Sequence, residues 1–211
     1  MLLGAGQRIV FIGDSITDCG RSDAAAPFGD GYMSLVRAFV DARFPERELT
    51  WVNRGISGNT VRDLAARWDA DAIAERPDWL SVMIGINDVW RAFIPGREAE
   101  AVPIDEYERT LRTLRALLRR AVDATGCRLI LADPYFVEAD VDQPQRARTD
   151  RYAAVVAALA KDFDAVHVAT QAAFDRVLRH SPPQRWADDQ VHPGLPGHAV
   201  IADAFLAALD A

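Results

Sequence analysis

Residues 8–17 are RIVFIGDSIT, a run of apolar residues that ends in Gly13, Asp14 and Ser15. Consecutive Ile, Val and Phe residues are typical of a strand that is buried on both faces of a parallel sheet. The glycine and the polar residues that follow it predict a turn into a helix or loop at the end of this strand. The stretch therefore predicts a strand over Arg8–Gly13 that presents a carboxylate and a hydroxyl at its carboxyl end.

Similar apolar runs recur along the chain and alternate with amphipathic stretches, which is the pattern of βαβ units. The predicted strands are Arg8–Gly13, Leu49–Gly55, Trp79–Gly85, Arg128–Ala132 and Ala165–Val168. The predicted helices are Thr60–Glu75, Asp105–Val122, Gln145–Lys161, Gln171–Arg179 and His198–Leu209. We expect an α/β fold formed by one domain over 1–211, a three-layer α/β/α sandwich with a mostly parallel five-stranded sheet in the flavodoxin-like order 2-1-3-4-5.

The helix over 105–122 has the clearest periodicity. Apolar residues recur there every three or four positions, at Tyr107, Leu111, Leu114, Leu118 and Val122. This spacing predicts one apolar stripe that faces the sheet, with arginines and acids on the opposite side. In the helix over 60–75, Thr60 and Asp63 resemble a capping box at the first turn.

The composition excludes several classes of protein. Half of the 211 residues are hydrophobic, 26% are charged, and the net charge is −7. This balance is typical of a soluble globular protein and excludes disordered, collagen-like and disulfide-framework chains. An acidic chain without a basic cluster lacks the phosphate contacts that nucleic-acid binding requires, so we expect no nucleic-acid partner.

The cysteines and the first residues indicate the compartment. Cys19 and Cys127 are the only cysteines and form no CxxC pair, which predicts reduced thiols rather than a disulfide or a zinc site. The first residues, MLLGAGQRIVFIGDS, lack the basic and apolar segments of a secretory signal. No apolar run reaches the length of a membrane span. We therefore expect a cytoplasmic protein without a membrane partner.

Ligands of open parallel sheets bind outside the carboxyl ends of the strands, so the residues there are candidates for a functional site. Ser15 follows the first strand, Gly58 follows the second in RGISGNT, and Asn87 follows the third in IGIND. A hydroxyl can act as a nucleophile, and a glycine N–H or an amide side chain can stabilise an oxyanion. Each residue also has a structural alternative, since serine and asparagine cap helices and glycine forms turns.

Asp189 and His192 lie three residues apart in DDQVH, ahead of the last predicted helix. This spacing lets the carboxylate bind one ring nitrogen and leaves the other free to act as a base. With Ser15 as the nucleophile, the set predicts a serine hydrolase. The N–H groups of Ser15 and Gly58 and the side-chain amide of Asn87 would form the oxyanion hole.

The blocks FIGDSIT, RGISGNT, IGIND and DQVH resemble those of the SGNH hydrolase group of the GDSL esterase and lipase family. The resemblance extends from Gly6 to Leu209. The flanking stretches, such as GISGNTVRDLAARW and PDWLSVMIGINDVWR, are most similar to bacterial acetylxylan esterases. This resemblance implies an esterase that removes acetyl groups from xylan-derived xylo-oligosaccharides through an acyl-enzyme, uses no cofactor or metal ion, and forms homo-oligomers.

Two tryptophans are candidates for substrate contact because an aromatic ring can stack on a sugar ring. Trp90 follows the Asn87 block and Trp186 precedes Asp189. His198, six residues after His192, suggests a metal pair, but no further ligands converge in the sequence and we interpret it as structural.

Other functions are compatible with parts of this pattern. The same catalytic set occurs in general short-chain acyl esterases, lysophospholipases and thioesterases, although the mixed, charged segment 91–103 does not favour a lipid substrate. A non-enzymatic, flavodoxin-like anion-binding protein is the alternative from another class. That alternative needs no serine–histidine pair and is therefore disfavoured.

Overall fold

A five-stranded sheet in the order β2-β1-β3-β4-β5 forms the middle of the computed structural model, which describes residues 1–122 and 126–210. The strands are β1 (Arg8–Gly13), β2 (Thr50–Gly55), β3 (Trp79–Met83), β4 (Arg128–Ala132) and β5 (Val166–Val168). All four pairings are parallel. The predicted sheet order is confirmed, and the strands differ from the prediction by at most two residues at either end.

Helices cover both faces of the sheet. They are α1 (Ser15–Asp18), α2 (Tyr32–Arg43), α3 (Val61–Ala66), α4 (Ile86–Trp90), α5 (Ile104–Val122), α6 (Pro144–Asp162), α7 (Thr170–Leu178) and α8 (Leu195–Asp210). Successive residues of a strand point to opposite faces. Accordingly, Ile9 and Phe11 of β1 pack in one cluster with α2, α7 and α8, and Val10 and Ile12 pack in the other with α3, α5 and α6. The predicted three-layer sandwich is confirmed.

The stripe of α5 lies against the sheet as predicted, and its buried members are Tyr107, Leu111, Leu114 and Leu118. The side chain of Val122, also predicted in this stripe, lies outside the described part of the chain. Helices α6 and α7 match their predictions within one residue at each end, whereas α8 begins three residues early, at Leu195. Within the described ranges no helix is long and apolar enough to cross a membrane.

The prediction of one helix over 60–75 is wrong. Helix α3 has the predicted capping box of Thr60 and Asp63 but ends at Ala66, and a five-residue π-helical turn follows over Asp69–Ile73. Between the two, the side chain of Arg67 turns toward the ends of β1 and β2, where backbone carbonyls accept its hydrogen bonds. Tertiary contacts of this kind override local helix propensity.

Helices α1, α2 and α4 are absent from the prediction. The first and third have only four and five residues, too few to produce a recognisable period. Helix α2 does have a helical stripe, formed by its buried residues Tyr32, Met33, Val36 and Val40. The turn-rich stretch before it hides this signal, because Gly29 and Gly31 make the region resemble a connection.

Candidate active site

Ser15, His192 and Asp189 form a continuous hydrogen-bonded line at the carboxyl edge of the sheet. The Oγ of Ser15 lies 3.0 Å from Nε2 of His192, and Nδ1 of His192 lies 2.7 Å from Oδ2 of Asp189. A carboxylate that binds one ring nitrogen fixes the tautomer, so the other nitrogen can accept the serine proton. The side chains of His192 and Asp189 are 45% exposed, which leaves the line open to a substrate.

The turn that carries the histidine is shaped by Asp189. Its Oδ1 accepts hydrogen bonds from the backbone N–H groups of Val191 at 3.0 Å and His192 at 2.7 Å. Partial burial raises the pKa of this carboxyl, but the hydrogen bonds from His192 and Val191 outweigh burial and hold the pKa below its usual value. Asp189 therefore stays ionised at neutral pH and can stabilise a protonated His192.

The candidate oxyanion donors follow the carboxyl ends of β1, β2 and β3. Asn87 is buried, and its Nδ2 donates to the carbonyl of Asn59 at 3.1 Å, which leaves its second amide hydrogen free. Gly58 has a φ of +81°, a backbone conformation that favours glycine. Nothing in the described ranges accepts a hydrogen bond from the N–H of Ser15 or Gly58. The N–H groups of Ser15 and Gly58 and the second amide hydrogen of Asn87 thus remain available as hydrogen-bond donors.

Two buried aspartates adjoin these residues and hold the local helices. Asp14 caps α1, and its Oδ1 accepts from the N–H of Ile16 at 3.0 Å. Asp88 accepts from the N–H of Val61, the first residue of α3, at 3.0 Å. Burial raises the pKa of each carboxyl to about 7, although these hydrogen bonds lower it. The observed contacts assign a positioning role to both.

Trp90 and Trp186, the candidates for substrate contact, lie in different relations to the histidine. The rings of Trp90 and His192 meet edge to face, with centroids 5.6 Å apart. The carbonyl of Trp186 accepts from the N–H of Gly194, two residues after His192. Trp90 therefore contacts the imidazole of His192 directly, whereas the backbone of Trp186 binds the loop that carries His192.

His198 is bound within the fold. Its Nδ1 accepts from the N–H of Tyr32 at 3.2 Å, so Nε2 carries the proton and faces the Sγ of Cys19 at 3.3 Å. Burial lowers the pKa of His198 to about 4 and raises that of Cys19 to about 12, so both groups are neutral at pH 7. In the described part of the chain, no three His, Cys, Asp or Glu side chains converge as a metal site.

The sequence analysis did not select two arginines that contact the loop around Gly58. The Nη2 of Arg91 donates to the Gly58 carbonyl at 2.9 Å, and the Nε of Arg67 donates to Oδ1 of Asn59 at 2.7 Å. Gly58 lies 33 residues before Arg91, and Asn59 lies eight residues before Arg67. An arginine in an amphipathic stretch is usually solvated, so no signal in the sequence distinguishes these two.

An aligned hydroxyl, imidazole and carboxylate at the carboxyl edge of a parallel sheet, with N–H donors beside the hydroxyl, define the class of α/β serine hydrolases. Within this class, the chain belongs to the GDSL-like lipase/acylhydrolase family, whose model matches residues 11–200. The resemblance found in the sequence blocks is thereby confirmed.

Several known proteins are similar to this chain. An acetylxylan esterase of Geobacillus stearothermophilus is 44% identical over 212 residues, which cover 98% of this chain and 95% of that one. The crystal structure of this esterase, Axe2, matches with a TM-score of 0.93 over 99% of this chain and 96% of that chain. Crystal structures of its catalytic mutants include replacements of a serine, an aspartate and a histidine by alanine.

Two further relatives differ in how far they resemble this chain. LAE5, an α/β hydrolase from the metagenome of Lake Arreo, is 45% identical, with a TM-score of 0.92 over 100% of this chain and 98% of that chain. Thioesterase 1/protease 1/lysophospholipase L1 of Escherichia coli is 26% identical over 200 residues, 94% of this chain and 81% of that one.

Proposed function

We propose that this protein is a serine carbohydrate esterase that removes acetyl groups from xylan-derived xylo-oligosaccharides. The observation that carries the chemistry is the line from Ser15 through His192 to Asp189, with hydrogen bonds of 3.0 and 2.7 Å. The similarity to the Geobacillus acetylxylan esterase, 44% identity over nearly the full length, supports the acetylated sugar as the substrate class.

In the first half of the reaction, the Oγ of Ser15 attacks the acetyl carbonyl carbon while Nε2 of His192 takes up the hydroxyl proton. The oxygen of the tetrahedral intermediate accepts hydrogen bonds from the N–H groups of Ser15 and Gly58 and from the amide of Asn87. When the intermediate collapses, the bond to the sugar oxygen breaks and His192 protonates that oxygen. The acetyl group is left as an ester on Ser15.

In the second half, His192 takes a proton from a water molecule, which attacks the acetyl carbonyl of the ester on Ser15. The intermediate collapses by breaking the bond to Oγ, which regains its proton from His192, and acetate leaves. Asp189 keeps the imidazole in one tautomer and stabilises its charged form in both halves. No cofactor or metal ion enters this scheme.

The experiment compares acetate release from acetylated xylo-oligosaccharides with hydrolysis of p-nitrophenyl acetate and of a long-chain ester. Ser15→Ala should abolish acetate release, and Ser181→Ala, a serine away from the site, should leave it unchanged. Activity that survived in Ser15→Ala would contradict the assignment of the nucleophile. Hydrolysis of the long-chain ester without release from the sugar would favour the alternative of a lysophospholipase or thioesterase, to which the Escherichia coli relative points.

The two tryptophans are proposed to contact the sugar. Trp90 lies against the ring of His192, where the leaving oxygen must be protonated, and Trp186 adjoins the same loop. Trp90→Ala and Trp186→Ala should raise KM for the oligosaccharide while leaving hydrolysis of p-nitrophenyl acetate close to the wild-type rate. Equal losses on both substrates would show that the tryptophans support the fold of the site instead.

We further propose that the enzyme acts in the cytoplasm on imported fragments, without a nucleic-acid or membrane partner, and that it assembles into a homo-oligomer. Light scattering coupled to size exclusion should give a mass that is a multiple of the chain mass. A monomeric mass at micromolar concentration would contradict the proposed homo-oligomer. The proposed reaction also uses no metal ion, so loss of esterase activity in EDTA would contradict that part of the proposal.

A further inference from the structure

Arg67 lies at the end of α3, under the carboxyl edge of the sheet, and its side chain is only 13% exposed. Its guanidinium donates to the carbonyl of Gly13 at 2.8 Å and to the carbonyl of Arg54 at 2.7 Å. It also donates to Oδ1 of Asn59 at 2.7 Å and to Oδ2 of Asp71 at 2.9 Å. Three of the four acceptors are uncharged, so the side chain does more than form one ion pair.

These acceptors lie beside the candidate oxyanion donors. The Gly13 carbonyl is two residues before Ser15, and Asn59 directly follows Gly58. The backbone carbonyl of Asn59 in turn accepts from the side-chain amide of Asn87 at 3.1 Å. One guanidinium therefore connects, directly or through a single residue, the three chain segments that carry the donors.

We propose that Arg67 is a positioning residue that holds the Ser15, Gly58 and Asn87 donors in a common geometry. The guanidinium suits this role because it is planar and has five N–H donors in a fixed fork. Hydrogen bonds from a charged donor are stronger than those between neutral groups, and low exposure protects them from solvent. The inference rests on the proposed esterase chemistry but not on the sugar substrate.

The backbone around Arg67 is consistent with this role. Helix α3 ends before Arg67, and the π-helical turn that follows begins at Asp69. In this turn Asp71 donates its N–H to the carbonyl of Arg67 at 2.9 Å, and its carboxylate accepts from the guanidinium. The wider turn thus holds the arginine by both its backbone and its side chain, and π-helical turns are frequent at functional sites.

A positioning role predicts a kinetic signature that differs from that of a stabilising contact. Donors to the oxyanion act on the transition state more than on the bound ester, so their displacement lowers kcat and leaves KM nearly unchanged. Loss of one such donor typically costs about 10²–10³ in turnover. Because Arg67 acts through the backbone and does not itself bind the oxyanion, we expect a smaller loss in Arg67→Ala, roughly 10–100-fold in kcat.

The experiment uses p-nitrophenyl acetate with the full chain, since this ester tests the chemistry without sugar recognition. Arg67→Ala should lose kcat with KM within about twofold, and Arg67→Lys should recover only part of it because an ammonium lacks the planar fork. Arg62→Ala is the matched control, since Arg62 lies on the same helix and pairs with Glu106 at the surface. We expect wild-type kinetics for this control.

A double-mutant cycle with Asn87→Ala separates positioning from general stability. If Arg67 acts through the donors, Arg67→Ala should cost less kcat in the Asn87→Ala background than in the wild type. Fully additive losses would overturn the proposal, as would wild-type kcat in folded Arg67→Ala. If Arg67→Ala does not fold, wild-type kcat in folded Arg67→Lys would overturn it. A wild-type enzyme inactive on both the nitrophenyl ester and the acetylated sugar would instead overturn the proposed function.

Discussion

The tautomer of His192 is the residue-scale feature on which the proposed reaction depends most. Asp189 binds Nδ1 of the ring and also the backbone N–H of the same residue, so the ring and its loop are held by one carboxylate. Gln190, between them, has a φ of +65°, which is unusual for a residue other than glycine. This strained turn lets a spacing of three residues bring the carboxylate and the imidazole together.

Asp189→Asn tests this arrangement. An asparagine keeps the size of the side chain, but its NH₂ group can take the place of the oxygen that faces Nδ1 of His192. Nδ1 would then accept a hydrogen bond, and the ring proton would lie on Nε2, which could no longer accept the proton of Ser15. We expect kcat to fall by about 10³–10⁴ while KM changes little, because the hydroxyl then loses its base. The measurement is steady-state hydrolysis of p-nitrophenyl acetate.

The neighbouring Asp188→Asn is the matched control, because Asp188 is exposed and not part of the hydrogen-bonded line. It should keep the wild-type rate. A loss of less than tenfold in Asp189→Asn would exclude tautomer control by this carboxylate.

At the residue scale, the sequence allowed the candidate triad to be selected because the chemistry itself restricts the choice. Few hydroxyls follow a buried strand, and Asp189 and His192 are close in the chain. Arg67 could not be selected in this way, because the acceptors that connect it to the strand ends are backbone carbonyls, which every residue has. Which carbonyl faces an arginine depends on tertiary structure alone.

At the scale of elements, the nucleophile is positioned by the close approach of α1 to the ends of β1 and β2. A Cβ built on Gly55 would lie 2.2 Å from the backbone nitrogen of Asp18, and one on Gly13 would lie 2.4 Å from both Oγ1 of Thr17 in α1 and the carbonyl oxygen of Met83 in β3. Distances this short exclude any side chain, so glycine is required at both strand ends. The helix that carries Ser15 therefore packs directly on the backbone of the sheet.

Gly55→Ala should move α1 away from the sheet and displace Ser15 from His192. Because the obstacle is backbone and not a flexible side chain, we expect a loss of about 1–3 kcal/mol in the free energy of unfolding. We also expect a fall in kcat of at least tenfold. Urea unfolding followed by circular dichroism measures the first, and hydrolysis of p-nitrophenyl acetate measures the second.

Gly4→Ala is the control, since its Cβ would meet only the side chain of Gln7, at 3.4 Å. Its stability and activity should stay close to those of the wild type. Unchanged stability and activity in Gly55→Ala would show that α1 can adjust without cost.

Strands and helices differed in how well the sequence predicted them. The strands are buried on both faces and therefore form continuous apolar runs with clear ends. The segment 60–75 was mispredicted because its periodicity continues past Ala66 although the backbone does not. The break coincides with Arg67, whose side chain contacts the ends of β1 and β2, and such contacts leave no signal in a local pattern.

At the scale of the whole molecule, the chain has a net charge of −7, and two of its carboxyl groups are buried next to active-site residues. Asp14 and Asp88 are nearly inaccessible, and each is bound chiefly by backbone N–H groups. Burial outweighs these hydrogen bonds and raises the pKa of both carboxyls to about 7. A folded state that must hold buried carboxylates above this pH is less stable than one in which they are neutral.

Asp88→Asn makes this penalty measurable. The unfolded carboxyl has an ordinary pKa of 3.8 and the folded one a pKa of about 7, so the folded form binds the proton more tightly. The stability of the wild type relative to the variant is therefore highest below pH 3.8, decreases as the pH rises toward 7, and is constant above it.

An asparagine oxygen at position 88 can still accept a hydrogen bond from the N–H of Val61. The melting temperature of Asp88→Asn should therefore exceed that of the wild type by several degrees at pH 8, and the difference should shrink toward pH 4. Thermal melts from pH 4 to 8 test this, with the exposed Asp23→Asn as the surface control. A difference for Asp88→Asn that stayed constant, or grew as the pH fell, would mean that this carboxyl is not held at a raised pKa in the fold.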